Sequence, residues 1–354
     1  MRTLDGKRIL ITGGTGSLGK VLTKRLLTGE MGIPKKIIIF SRDEAKQHFM
    51  RIEYMQKNVA TDEIIYQKAH EILDFHIGDV RDFHSIAGAL QNVDVVVSAA
   101  ALKQVPTCEY FPYQGVMTNV AGPENIVRAI EEYKLPIETV LGISTDKACK
   151  PVNVMGMTKA LQERVLIQAN LRHPQTRFLC VRYGNVLASR GSVIPLFHEQ
   201  IQKGGPVTIT VPEMTRFLLS LDQAVDTVFA AYKEGLAGET YIPRVPSAKI
   251  IDIAKALIGK RPIEISITGI RPGEKLHEIL VSEEEIYRTF ARGNYYVIAP
   301  ILPELRSNEN LDLPLKTEYS SGDGVMPMQE VADLFNKYNL MFPESGDNQR
   351  ELLR

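Results

Sequence analysis

The run Ile9-Leu10-Ile11-Thr12-Gly13-Gly14-Thr15-Gly16-Ser17-Leu18-Gly19 constrains this chain more than any other stretch. An apolar, strand-like segment passes straight into three spaced glycines, Gly13, Gly16 and Gly19, and then into an amphipathic pattern. Glycines at a strand-to-helix turn allow a tight bend and a close approach of backbone to a pyrophosphate, whose charge is met by free N–H groups at the helix N-terminus. A glycine triplet alone is weak support for a cofactor site. Here it follows a strand, opens a helix and occupies the first turn of an alternating pattern, which points to dinucleotide binding, with Thr15, Ser17 and Leu18 in the same cradle.

Short apolar runs over Arg8–Thr12, Lys36–Phe40, Asp74–Ile77, Val93–Ser98, Thr139–Ser144 and Arg177–Val181 read as buried strands. Helical patterns over Leu18–Leu27, Tyr113–Tyr133 and Val154–Leu171 fill gaps between them. This alternation predicts an α/β fold, a Rossmann-type doubly wound parallel sheet with a smaller α/β substrate-binding lobe. The dinucleotide domain is expected over 1–184, completed by parts of 217–245. The second lobe takes 185–216 and 246–340, where glycines and prolines punctuate shorter elements, including helices near Leu221–Glu234, Ile250–Leu257 and Gln329–Tyr338. Ser320-Ser321-Gly322-Asp323-Gly324 reads as a loop, and 341–354 as a polar tail.

The chain has 354 residues, with Lys+Arg and Asp+Glu equal at 42 each, so no net field favours nucleic acid or an anionic membrane. Cys108, Cys149 and Cys180 are scattered, without the close pairs used by metals, and read as core thiols in a reducing compartment. There is no secretory-type leader pattern, and no apolar run approaches the roughly 20 residues that span a bilayer. A cytoplasmic protein without an integral membrane segment is therefore expected.

The second strand ends in Phe40-Ser41-Arg42-Asp43, offering a cation where an NAD-selective site usually offers an acid to the ribose. This favours NADP through Arg42, with Ser41 beside it, while Asp43 keeps NAD as the alternative. Gly78-Asp79-Val80 places Asp79 and Val80 near the adenine. Ala99-Ala100-Ala101 after the fourth strand lets the chain pass beneath the cofactor, and Tyr183, just beyond the sixth strand, is counted among the cofactor-binding residues. His277 has no partner at metal-ligand spacing and is read as structural; no metal is expected.

Several further motifs occur in order: Ala99 to Pro106, Ser144 to Ala148, Asn153 to Lys159, Arg182-Tyr183-Gly184-Asn185-Val186, Ser189-Arg190-Gly191-Ser192-Val193-Ile194-Pro195, Met214-Thr215-Arg216-Phe217 and Arg271-Pro272-Gly273-Glu274-Lys275. With the glycine turn they resemble the nucleotide-sugar 4,6-dehydratases of the extended short-chain dehydrogenase/reductase superfamily, most closely those acting on UDP-N-acetylglucosamine in bacterial polysaccharide and glycan synthesis. The resemblance covers almost the whole chain. It implies a redox-neutral reaction in which C4 of the sugar is oxidised, water leaves across C5 and C6, and a hydride returns to C6. In the superfamily's Tyr-x-x-x-Lys segment this chain has Met155 where the tyrosine stands, with Lys159 retained, as in some members of the dehydratase branch. A thioether carries no proton, so the acid–base work must fall elsewhere.

Asp146 and Lys147 fit the remaining chemistry: a base for the C5 proton that the 4-ketone acidifies, and an acid for the departing C6 hydroxyl. Their ordinary ionisation is backwards for that task, and moving the proton from lysine to aspartate costs about 9 kcal/mol in water. Burial narrows the gap because the ion pair loses more solvation than the neutral pair. By resemblance, Thr145 contacts the reacting hydroxyl and Lys159 holds the nicotinamide ribose. Asn185, Val193, Arg216, Arg271 and Glu274 receive the UDP-sugar, with arginines suited to a diphosphate and the glutamate to ribose hydroxyls. Lys103 faces either ligand. The resemblance also implies a homo-oligomer, a dimer or larger, through the helices near Tyr113–Tyr133 and Val154–Leu171. Two other readings stand beside it: a UDP-sugar 4-epimerase, which needs no acid–base pair for C5 and C6, and a non-catalytic dinucleotide-sensing protein.

Overall fold

The computed structural model describes residues 2–56, 71–187, 192–306 and 312–342. Six parallel strands form the heart of the molecule: β1 (Arg8–Thr12), β2 (Lys36–Ser41), β3 (Leu73–Ile77), β4 (Val95–Ser98), β5 (Thr139–Thr145) and β6 (Arg177–Tyr183). Their spatial order, 3-2-1-4-5-6, reverses direction between β1 and β4. β4 is buried at every position and β5 at all but its last, so the β-branched runs that mark them are covered on both faces.

Outside this sheet lie β7 (Val207–Ile209) and β8 (Thr215–Phe217). β9 (Thr240–Pro243) returns to the sheet and pairs parallel with β6. β10 (Ser247–Lys249) runs antiparallel to β8, and β11 (Ile265–Ile267) runs parallel to β7. β12 (Ile279–Val281) is paired much later by β15 (Tyr319–Ser320). Between them, β13 (Thr289–Arg292) and β14 (Tyr295–Ile298) form an antiparallel hairpin that docks on β9 and extends the central sheet to nine strands.

The helices Ser17–Leu27 and Leu221–Glu234 cover one face through Leu22, Leu26, Val225 and Phe229. The helices Phe83–Ala89, Gly122–Tyr133 and Val154–Arg172 cover the other through Ile86, Ile126, Ile130 and Leu166. A third apolar cluster, with Phe197, Ile209, Ile253, Leu257, Val331 and Phe335, is the core of the second lobe.

Three sequence expectations are corrected. The hairpin over 289–298, assigned by its position to the second lobe, belongs to the central sheet, because its alternating pattern offers β9 an antiparallel edge. The helix expected over Tyr113–Tyr133 is interrupted by a π-helical turn at Met117–Ala121. There Asn119 donates to Leu102 O (3.0 Å) and Thr158 Oγ1 (2.9 Å) and accepts from Leu102 N (2.8 Å), tying the loop after β4 to the helix Val154–Arg172. Ser320, read as loop, is in a strand. Ser189-Arg190-Gly191 and most of the tail lie outside the described residues.

Candidate active site

In an open sheet of this kind, ligands bind beyond the carboxyl ends of the strands where the order reverses. The glycine turn sits there. Gly13 has φ +65°, and a Cβ on it would lie 2.9 Å from the Ala100 Cα. A Cβ on Gly19 would lie 2.3 Å from Gly14 O, so helix and turn pack backbone to backbone. Thr12 Oγ1 accepts from the Ala99 and Ala100 amides (3.0 and 3.1 Å), drawing the start of the Ala99–Ala101 segment against the turn. Gly16 at the N-cap supplies no side chain, and the first turn of Ser17–Leu27 carries no acid. This N-terminus is therefore left to a ligand anion, and the residues fit a dinucleotide pyrophosphate.

At the end of β2, Ser41 Oγ meets Thr15 Oγ1 at 3.1 Å. Arg42 is mostly exposed, with Nη1 3.7 Å from Asp79 Oδ2. Asp79 is also gripped by Arg81, whose Nε lies 3.0 and 2.9 Å from its two oxygens. Partial burial opposes ionisation, but the Arg81 guanidinium and amide hold this carboxyl below its usual range. Arg81, which the sequence reading left unassigned, is thus a second cation beside the expected adenine position. Val80 is buried beneath Gly122. Tyr183 is buried at the end of β6, and burial pushes its phenol well up.

The chain leaves β5 through a 3₁₀ turn, Asp146–Ala148, wedged against the helix Val154–Arg172. A Cβ on Gly156 would lie 2.2 Å from Lys147 O. Asp146 is fully buried. Its Oδ1 accepts from Thr145 Oγ1 (2.8 Å) and Lys147 Nζ (3.1 Å), while Oδ2 has no hydrogen-bond partner among the described residues. Met155 is 5% exposed in the first turn of this helix, and Asn153 caps the helix through the Gly156 amide (2.8 Å). Lys159 is buried with Nζ on Ile143 O and Gln162 Oε1, and desolvation lowers its pKa to about 8.

A residue that sequence reasoning missed completes the cluster: Glu278, 2% exposed, places Oε1 3.1 Å from Lys147 Nζ. Burial raises the Asp146 carboxyl, and Glu278 adds to the rise against the pull of Lys147. Burial lowers Lys147, but the two carboxylates outweigh it and hold the ammonium up. Burial likewise opposes ionisation of Glu278, which Lys147 and Arg216 hold below its usual range. The cluster thus shifts both groups upward, the Asp146 carboxyl chiefly through burial and the Lys147 ammonium through its two carboxylate neighbours. The one sequence signal for Glu278 was an acid immediately before the apolar run Ile279-Leu280-Val281, next to the Arg271–Lys275 motif.

The substrate residues divide. Asn185 Oδ1 and Glu274 Oε2 are buried acceptors without hydrogen-bond partners among the described residues. Val193 begins the helix Val193–Gln202, whose N-cap Ser192 has a buried hydroxyl with no hydrogen-bond partner among the described residues. Lys103 and Arg271 are exposed on loops. Arg216, expected on the diphosphate, is turned inward: Nη1 donates to Thr215 O (2.7 Å) and Lys275 O (3.1 Å), and Nε lies 3.8 Å from Glu278 Oε1. A buried guanidinium must satisfy its donors, and these are the acceptors in reach. His277 Nδ1 meets Thr215 Oγ1 at 2.8 Å.

A doubly wound sheet with a glycine turn at its reversal point and a buried acid–base cluster at the end of β5 defines a protein of the extended short-chain dehydrogenase/reductase fold. The chain belongs to the family described as polysaccharide biosynthesis protein, which matches residues 9–300. It is 46% identical over 297 residues to a UDP-glucose 4-epimerase of Rickettsia typhi, covering 82% of each chain. It is 44% identical over 305 residues to an uncharacterized membrane protein of Methanocaldococcus jannaschii, covering 83% of this chain and 86% of that one. Pen from Bacillus thuringiensis superposes with a TM-score of 0.85 at 31% identity, over 96% of this chain and 99% of that one. The dTDP-glucose 4,6-dehydratase DesIV of Streptomyces venezuelae, solved with NAD, shares the fold at a TM-score of 0.64 and 21% identity, over 76% and 86% of the two chains. Among the described residues, no helix is long and apolar enough to cross a membrane.

Proposed function

We propose that the protein is a nucleotide-sugar 4,6-dehydratase that converts UDP-N-acetylglucosamine to a UDP-4-keto-6-deoxy sugar with NADP. The observation that carries this reading is the burial of Asp146 beside Lys147, with one carboxylate oxygen left for a ligand. A bound nicotinamide dinucleotide supplies a reversible hydride acceptor, held by the Gly13–Gly19 turn, Ser41, Arg42 and Lys159. As carboxylate, Asp146 takes the C4 hydroxyl proton, directly or through Thr145, and becomes the acid that protonates the C6 hydroxyl as water leaves. Lys147 as free amine removes the C5 proton and later returns one there, so both groups end as they began. Met155 keeps the pocket dry. Asn185 and Glu274 offer acceptors to the UDP hydroxyls, and Arg271 offers a cation to the diphosphate.

The names of the relatives favour a second reading, a UDP-sugar 4-epimerase. Both reactions begin at C4, but an epimerase has no use for a proton donor at C6. Incubation with UDP-N-acetylglucosamine in heavy water separates them: the dehydratase yields a product lighter by one water with solvent deuterium at C5, whereas an unchanged mass with altered C4 configuration moves the assignment to the epimerase. A homo-oligomer is part of the proposal, supported by exposed Tyr110, Phe111, Tyr113, Met157 and Leu161 on neighbouring segments. A cytoplasmic setting fits three buried free thiols.

A further inference from the structure

Lys147 Nζ is equidistant, at 3.1 Å, from Asp146 Oδ1 and Glu278 Oε1. Glu278 comes from a remote segment and is pinned there. Its amide donates to Ser321 Oγ (2.9 Å), its carbonyl accepts from the Ser321 amide (2.8 Å), and Ser321 Oγ meets Thr215 Oγ1 at 2.8 Å. Its Oε2 is buried without a partner among the described residues, and the Lys147 and Arg216 cations favour its ionised form, the form that can accept a proton. The groups facing it are Lys147, Asp146, Arg216 and Lys275.

At elimination two protons must be held at once. One is the proton destined for the C6 hydroxyl; the other is the one Lys147 must lose before its amine can act as a base. Asp146 cannot hold both. We propose that Glu278 is the proton store of the site, taking the ammonium proton of Lys147 so that the free amine can remove the C5 proton. An N–H bond of Lys147 breaks as an O–H bond forms on Glu278. The amine then accepts the C5 proton while the C5–H electrons pass into the enolate, and Asp146 transfers its proton to the departing hydroxyl. When the hydride returns to C6, Lys147 protonates C5 and recovers its own proton from Glu278. No outside co-reactant is needed. Glu278 acts through Lys147 and is a positioning and proton-holding residue; the inference rests on the dehydratase reading.

The test compares wild type, Glu278→Gln and Glu278→Asp, with C5 deuterium uptake and water loss followed separately from cofactor reduction. In Glu278→Gln, ligand binding and cofactor reduction should persist, while C5 exchange falls about 100-fold. Exchange should recover as pH rises, because Lys147 then loses its proton to solvent. Glu278→Asp should fall about tenfold, with a smaller alkaline displacement of the pH profile. That variant carries the test if the glutamine form does not fold. Wild-type exchange and an unchanged pH profile in the folded variants would overturn the inference alone. A wild type that neither exchanges at C5 nor loses water would overturn the dehydratase reading, and this inference with it.

Discussion

Two buried charge clusters lie on neighbouring strands, and they are finished to different degrees. At Arg182 on β6, the guanidinium bonds Glu163 (3.0 and 2.7 Å) and Glu285 (2.8 and 3.0 Å) and donates to Leu280 O (2.9 Å); Ser144 adds a further bond to Glu163. No carboxylate oxygen of Glu163 or Glu285 is left unpartnered. At the end of β5, Lys147 is shared by Asp146 and Glu278, each of which keeps one buried oxygen with no partner among the described residues. A buried charge is tolerable when paired and hydrogen-bonded, and an unmet buried acceptor is destabilising. The first cluster thus reads as framework and the second as a site awaiting a ligand.

The largest effects should separate the two. Asp146→Asn and Lys147→Ala are each expected to lower turnover in the proposed reaction by about 10³-fold, and Asp146→Asn to do so without loss of thermal stability. Arg182→Met, by contrast, strands two buried carboxylates and should remove about 3–5 kcal/mol of stability in denaturant titration. Asp146→Asn turning over at the wild-type rate, or Arg182→Met unfolding like wild type, would erase the distinction.

Their pH signatures should oppose each other. Against burial, Arg182 holds Glu285 down from 4.5 to about 2. An acid lowered by folding contributes stability that is present above its unfolded pKa and lost as pH falls through its folded one. The wild type should therefore lose about 3 kcal/mol between pH 4.5 and 2, a limb that Glu285→Gln removes. Asp146 is raised, chiefly by burial, so its contribution has the reverse sign: it is present below pH 3.8 and lost as pH rises. The stability of Asp146→Asn relative to wild type should thus increase from pH 4 to pH 8, as followed by thermal melts.

Smaller effects test the edges of the open site. Arg42→Ala should weaken NADP about tenfold more than NAD in binding titrations, through loss of a charge-assisted contact to the 2′-phosphate. Equal losses would make the side chain structural. Met155→Leu should retain activity within about threefold, because shape and dryness survive. Inactivity in a folded, ligand-binding Met155→Leu protein would give the sulfur a role of its own.

Much of the open site could be read from the sequence because it is local. Gly13 to Gly19 announce their turn through spacing, and Asp146 and Lys147 follow a strand whose apolar run is unmistakable. What could not be read is what folding brings from a distance. Nothing near Glu278 says that it will stand opposite Lys147, and an arginine such as Arg216 looks the same in sequence whether it turns outward to a phosphate or inward to carbonyls. The hairpin at 289–298 was misplaced for the same reason: its alternation is visible, but the partner it pairs with is not. The π-helical turn at Met117–Ala121 follows from hydrogen bonds of Asn119 to residues outside its own helix.

The family match stops at residue 300, yet Ser321 lies beyond it. A copy of the chain trimmed to the matched stretch would keep β2 to β14 and all of β1 but Arg8, and lose the hydroxyl and amide of Ser321 that clamp Glu278. By homology that fragment would look whole, while Glu278 would have lost both of its bonds to Ser321. Shared ancestry sets where a family begins and ends; the smallest piece that can do the chemistry is set by the last hydrogen bond the centre depends on.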